Sequence, residues 1–330
     1  SGAEFSGDAD FSGAEFSNAD FSGAEFSHAD FSGAEFSYVN FSGAEFSGDA
    51  DFVNAKFSNA RFFDAKFSGD AYFFDAEFSH ADFSDAEFSY VNFSHAKFSG
   101  DADFSGAEFS NARFSDVEFS NAYFLHAKFS NAYFKECKFN KEAKFDNAEF
   151  LETADFSRAE FPDTKDLTDF VSFRNVYFKN QRRVYFDGMK GKAKVSFINT
   201  DISRVVFRNC DLDSPFDEVL LRRKEEIERK VEELKRSGKE EELKSLEDKL
   251  ERLEHATWDV TLDNVLAVIR NLRENCDYYL RYEEAGRLFV REMELKRNYV
   301  LSRRSRGEEG SSRGIRNMPS LARKISGLIE

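Results

Sequence analysis

Between Phe5 and Phe161 a phenylalanine recurs every fifth or sixth residue, and two positions before almost every one stands an alanine. The register gives 31 consecutive units of the form A-x-F-S-x, for instance Ala14-Glu15-Phe16-Ser17-Asn18. An ordinary globular core interlocks side chains of many shapes, and this pattern cannot supply one. It specifies an array of one small module that becomes stable only when neighbouring modules stack.

A helix requires apolar residues near a 3.6 spacing and a plain strand requires strict alternation, whereas here Ala and Phe sit at i−2 and i and then skip. Short extended pieces separated by corners satisfy that rhythm, with Ala and Phe pointing inward and the intervening residues outward. Stacking would then bury each ring against the ring above and below, beginning with a core ladder of Phe16, Phe21, Phe26, Phe31, Phe36 and Phe41.

These units resemble the pentapeptide-repeat family, whose consensus is A-(D/N)-(L/F)-(S/T)-x. The match is close over residues 1–161 and degraded over 162–212, where Phe173, Phe178, Phe186, Phe197 and Phe207 and the near-consensus Asn209-Cys210-Asp211-Leu212 keep the inward beat. The resemblance implies a right-handed, four-sided β-helix with four units per turn. The expected organisation is therefore an all-β right-handed quadrilateral β-helix (a pentapeptide-repeat solenoid) over 1–215, regular over 1–161 and degenerate over 162–215, followed by an α-helical C-terminal region.

Two sequence details bear on the number of sides. Six units carry one extra residue, those starting at Phe5, Phe46, Phe67, Phe98, Phe139 and Phe150, and numbering from Phe5 as zero makes all of them even. The residue before Phe follows the same parity: all 16 even units carry Glu or Lys there, while odd units carry mainly Asp, Asn, Arg or Tyr. Opposite sides are thus alike and adjacent sides differ, which excludes a three-sided coil. With four units per turn each of the five even-unit lysines lies between two glutamates, Lys56 between Glu35 and Glu77, for example. With two per turn Lys56 would sit on Lys66 and Lys128 on Lys138. Like charges about 4.8 Å apart repel, so four sides are favoured. Roughly forty units then give about ten turns, at about 4.8 Å each.

Charge is distributed unevenly. Residues 1–161 hold 30 Asp/Glu and 11 Lys/Arg, a balance of −19, and the remainder is +3. Glu4, Asp10, Glu15, Asp20, Glu25, Asp30, Glu35, Glu45 and Asp51 form a candidate acidic interaction surface, because residues 1–55 contain no Lys or Arg. Some members of the family that the array resembles act on DNA gyrase by presenting an acidic, duplex-shaped rod. That resemblance implies a DNA mimic as one alternative function, with no direct nucleic-acid binding by the acidic rod itself.

From residue 216 the period becomes helical. Ile227, Val231 and Leu234, then Leu243, Leu246, Leu250 and Leu253, predict an antiparallel hairpin over 216–256, broken at Ser237-Gly238-Lys239. A second helical pair follows over 257–302, one helix carrying Val265, Leu266, Val268, Ile269 and Leu272, the next Leu288, Phe289, Met293 and Leu295, with the joint near Tyr278 to Tyr282. The stretch from Ile269-Arg270-Asn271-Leu272-Arg273-Glu274-Asn275 through Tyr282-Glu283-Glu284-Ala285-Gly286-Arg287 to Glu294 resembles a segment that follows pentapeptide arrays in membrane-anchored relatives, just ahead of pore-like spans. Residues 303–330 read as a basic flexible tail with a short terminal helix, in which Arg303, Arg304, Arg306, Arg313, Arg316, Arg323 and Lys324 form a candidate juxtamembrane patch for an anionic membrane surface.

No apolar run approaches 18 residues, and beginning at Ser1 partway through a unit the sequence reads as a piece of a longer chain. Cys137, Cys210 and Cys276 lie far apart, the first two in the alanine slot, which points to packing in a reducing compartment. His28, His80, His95 and His126 fall on four different sides of the coil and cannot share an ion. No serine gains a His and a carboxylate from the register, and no phosphate-binding glycine loop is present. The expectation is a non-catalytic, cytoplasmic scaffold or interaction rod without metal or cofactor, at the membrane in its full-length form. It would have protein partners, and its homodimer contacts would lie at the N-terminal end or the C-terminal helices.

Overall fold

The computed structural model describes residues 1–162, 168–188, 194–210, 215–237, 243–251 apart from 245 and 249, and 260–305. Its strands form two parallel sheets, of 12 and 11 strands, each strand hydrogen-bonded to its counterparts one coil away. Glu4 pairs with Glu25, Glu25 with Glu45 and Glu45 with Lys66, so each coil advances 20 or 21 residues, the length of four units. The rings confirm the count: Phe5 stacks on Phe26, Phe11 on Phe31, Phe16 on Phe36 and Phe21 on Phe41, which makes four columns. The longest column runs from Phe11 to Phe207 in nine steps, a rod of about 43 Å at about 4.8 Å per coil.

Ring geometry explains why phenylalanine dominates. Within a column the rings lie parallel at one-coil spacing, as in Phe46 on Phe67, at 4.6 Å and 1°. Across the axis two columns interlock edge to face, as Phe62 and Phe73 do at 5.7 Å and 87°. Both arrangements suit the ring quadrupole, and a fully buried Phe contributes roughly 1.5–3 kcal/mol through its area alone. Phe26, Phe31, Phe36 and Phe41 are buried, while Phe16 and Phe21 in the first coil are partly covered.

The parity seen in the sequence comes from two kinds of corner. After each odd-unit Phe the chain makes a four-residue turn: Ala65 N donates to Phe62 O at 3.1 Å, and Asp64 has φ 55°. That is type II geometry, which favours Gly or Asn at its third position, and Gly, Asn and Asp occupy most of these sites. Where the residue before the odd Phe is Asp or Asn it caps the turn, as Asp82 does by accepting from Ser84 N at 3.0 Å, so a short Asx side chain is favoured there. At most even corners the strand continues around the bend, as in Lys56–Arg61, and a longer outward side chain is free to extend. Only these wider corners accept the extra residue. Lys66–Tyr72 holds seven residues, and its register against the next coil shifts between Phe88 and Tyr90. At four such bulges the extra segment carries glycine, and three of them have no room for a side chain: a Cβ would come 2.0 Å from Ser27 O at Gly48, 2.4 Å from Gly48 O at Gly69 and 1.9 Å from Ser79 O at Gly100.

The last coils are less regular, but Phe173, Phe178, Phe186, Phe197 and Phe207 remain inward. Helix α1 (Phe216–Ser237) starts beside them, its Phe216 ring 5.5 Å from Phe170, and Asp217 accepts from Phe197 N at 3.2 Å. Lys235 reaches Glu247 at 2.9 Å across the break after α1. Most of the expected partner helix, like His255, lies outside the described residues. Helix α2 (Leu262–Tyr278) is capped by Thr261, whose side chain accepts from Asn264 N, and α3 (Tyr282–Ser305) packs back along it.

Helix α2 closes the solenoid chemically. A terminal coil has carbonyls with no further coil to pair with. Buried Asn275 donates to Ile202 O at 2.9 Å and Val205 O at 2.7 Å, Tyr279 OH donates to Arg204 O at 3.0 Å, and Asn271 donates to Thr200 O at 3.4 Å. Arg281 donates to Asn275 Oδ1 at 2.7 Å and fixes the amide's orientation. Two buried glutamates tie the helices together. Glu218 pairs with Arg222 and Arg291, and Glu292 with Arg270, Arg273 and Lys296. Val265, Leu266, Val268, Ile269, Leu272, Leu288 and Leu295 are buried as their spacing requires, but Phe289 is exposed, because the packed stripe of α3 runs through Ala285, Leu288, Glu292 and Leu295 instead.

Candidate interaction surface

With rings filling the interior, the chemistry available to a partner lies on the outside of the coils. The even positions stack into two ladders on opposite sheets. One runs Glu4, Glu25, Glu45, Lys66, Glu87, Glu108, Lys128, Glu149. The other runs Glu15, Glu35, Lys56, Glu77, Lys97, Glu118, Lys138. All five lysines are bracketed by glutamates. Several make direct pairs: Lys56 with Glu35 at 2.9 Å, Lys66 with Glu87 at 3.1 Å, Lys128 with Glu108 at 2.7 Å and Lys138 with Glu118 at 3.0 Å. The hydrogen bond it donates to Glu35 holds the Lys56 ammonium above its ordinary range, and the bond from Lys138 holds the Glu118 carboxyl below its own.

The nine carboxylates singled out from the sequence divide into two groups. Glu4, Glu25 and Glu45 stack on one ladder and Glu15 and Glu35 on the other, as columns of like charge with no intervening cation. Asp10, Asp20, Asp30 and Asp51 instead accept from the backbone N–H groups of Ser12, Ser22, Ser32 and Val53, as turn caps. Hydrogen bonds from the Ser12 and Ser22 side chains, and then from their backbones, hold the Asp10 and Asp20 carboxyls below the usual range. Acidity therefore surrounds the first coils instead of forming one patch.

Beyond the first coils the odd rows change character. Tyr72, Asn92, Arg113 and Tyr133 succeed Asp51 on one edge, where Arg113 lies 5.8 Å over the Tyr90 ring. Tyr72 donates to Asp70 at 3.0 Å, and this bond pushes its phenol up to about 12. Exposed Tyr38 borders an open groove shared with Arg61, His80, Asp82 and Asp103. These aromatics escaped the sequence reading because the repeat places them among polar residues of equal spacing, and only the coil register brings them together.

His28 lies beside Asp8 on one sheet and His80 beside Asn59 on the other, while His95 and His126 occupy two turns. No group of His, Cys, Asp and Glu suited to a metal ion occurs among the described residues. Burial of Cys137 pushes its thiol well above the ordinary range, and the thiol hydrogen-bonds to Phe114 O at 2.5 Å. Of the candidate basic patch, Arg303 and Arg304 fall in the last turn of α3, and Arg306, Arg313, Arg316, Arg323 and Lys324 lie outside the described residues. No helix among the described residues is long and apolar enough to cross a membrane.

Family models match this geometry. Two models of pentapeptide repeats, of eight and nine copies, match residues 9–48 and 31–77, and a pentapeptide repeat region matches 71–150. The array belongs to the pentapeptide-repeat family. No curated protein matches the chain. Two trypsin-treated variants of QnrB1, a plasmid-mediated fluoroquinolone resistance protein, are similar among solved structures. One is 21% identical over 54% of this chain and 83% of that one, with a TM-score of 0.27, and the other is 22% identical over 59% and 88%, with a TM-score of 0.24. Within this pentapeptide-repeat solenoid, the outward ladders are where its coils differ from one another.

Proposed function

We propose that the chain is a non-catalytic protein-interaction rod whose working surface is the ladder pattern of its coils. The observation that carries this reading is the run of unbalanced glutamates in the first coils. Stacked like charges are destabilising by up to about 1 kcal/mol per pair, and from Lys56 onward the same ladders relieve the repulsion with lysine. Unbroken runs of it at Glu4, Glu25 and Glu45 and at Glu15 and Glu35, against the single later pair Glu87 and Glu108, are explained by a cationic partner surface that neutralises them on binding. The basic run over 296–324 and the resemblance of 269–294 to membrane-anchored relatives support a cytoplasmic position at an anionic membrane.

A second reading follows from the same glutamates. A surface cationic enough to complement them is typical of a DNA-binding groove, so DNA mimicry toward gyrase or another DNA-binding protein remains the alternative. Replacing Glu15, Glu25, Glu35 and Glu45 together by Gln tests the rod reading. Partner capture from the source cell's cytosol and membranes should fall, and capture by the unaltered chain should weaken steeply with salt. Capture unaffected by the four changes overturns it. Salt-sensitive inhibition of gyrase supercoiling by the unaltered chain selects mimicry, and recovery with membranes selects the anchored rod.

A further inference from the structure

The outer side of α3 departs from local preference at three places. Helix α2 ends in a Schellman motif, with Arg281 N bonded to Cys276 O at 2.8 Å and Leu280 N to Asp277 O at 3.2 Å. Its left-handed position is normally glycine, yet Leu280 occupies it at φ 60° and is 69% exposed. Gly286 stands in the interior of α3, where glycine is disfavoured, and nothing lies within 4 Å of where its Cβ would be. Tyr282 is 65% exposed, and Phe289, Val290 and Leu301 are exposed beside it. At 3.6 residues per turn Tyr282, Gly286, Phe289, Val290, Met293 and Leu301 fall within about 120° of one another, away from the stripe packed on α2. Such conflicts with local rules gather where another requirement overrides them.

The spacing identifies the occupant. Residues 283, 286, 290, 293, 297 and 300 recur at alternating intervals of three and four, the seam of a two-helix coiled coil. Gly286, Val290, Met293 and Val300 supply small and apolar positions, Glu283 lies at one end and Arg297 at the other, and both charged residues are exposed. A parallel pair would set Glu283 against Glu283 and Arg297 against Arg297. An antiparallel pair crossing between Val290 and Met293 brings each acidic end beside the basic end of its mate, and glycine lets the two backbones approach. A seam complementary to its own reverse is the requirement for a two-fold contact. We propose that two copies of the chain pair through antiparallel α3 helices along this seam.

Sedimentation velocity over a range of concentrations tests the proposal with the full chain. A dimer is expected, weakened at least tenfold by Val290→Glu while the melting curve is kept. In a Cys210→Ser background, Val290→Cys should be linked into dimers by a short bismaleimide. A monomer at every concentration overturns the proposal, as does a dimer indifferent to Val290→Glu. A monomer that floats with anionic vesicles overturns it by assigning the face to lipid.

Discussion

Within the regular coils a backbone amide finds its acceptor one coil away, as Phe62 N does on Asp82 O at 2.6 Å, whereas the carbonyls of Ile202 and Val205 at the closing end find theirs in the side chain of Asn275. Both ends of the comparison satisfy the same backbone requirement. In the coils the repeat supplies the partner automatically, and any coil serves its neighbour. At the closing end single residues supply it, from a helix about 70 positions further along, and each has a specific role.

The comparison makes graded predictions. The largest effect belongs to a mid-column ring: Phe83→Ala should cost about 3–5 kcal/mol, because rigid stacked neighbours cannot collapse into the void. In chemical denaturation the same change at half-buried Phe16 should cost clearly less, and equal costs would refute the stacking account. Next, Asn275→Ala removes the side-chain donor shared by two carbonyls of the last coil, leaving Ile202 O only its bond from Val205 N, at about 1–3 kcal/mol. Hydrogen exchange should show faster amides in the last coil and in α2 with the first coils unchanged, and uniform acceleration would mean that the cap and coils are one cooperative unit.

A pH effect separates the two regions. Burial pushes the Glu292 carboxyl up, but hydrogen bonds from Lys296 and Arg270 and the charges of Lys296 and Arg273 outweigh it and hold the group below the ordinary range. Its folded pKa is thus lower than its unfolded one. The stability it contributes is present above the ordinary carboxylate range and is lost as pH falls through the lowered value. Acid titration followed by the circular dichroism of α2 and α3 should show this loss, and Glu292→Gln should remove that portion of the pH dependence. Smallest is the contrast between corners. Asp82→Ala, which removes a turn cap, should cost about 1 kcal/mol, whereas Glu77→Ala on a wide corner should be within about 0.5 kcal/mol of neutral by thermal melting.

The columns, the four sides and the bracketing of lysines were legible in the sequence because each rests on spacing, and a repeat preserves spacing. The parity was legible too, but its cause was not: the Asx caps and the type II turns are hydrogen bonds that periodicity does not encode. The exposure of Phe289 was not legible because α3 carries two apolar stripes, and sequence alone does not say which one meets α2. Asn275 and Tyr279 were missed because their partners are backbone groups of a distant coil, where no residue type marks the need. Leu280 carries no turn signature at all.

The wide corners have a practical corollary. Since the array already accommodates an additional residue at six of them, a short foreign peptide spliced beside Gly7, where nothing lies within 4 Å of the place a Cβ would take, should leave both sheets intact and project sideways from the shaft. Repeating the graft on successive coils would set identical loops in a row about 4.8 Å apart, turning the molecule into a comb with teeth of chosen chemistry.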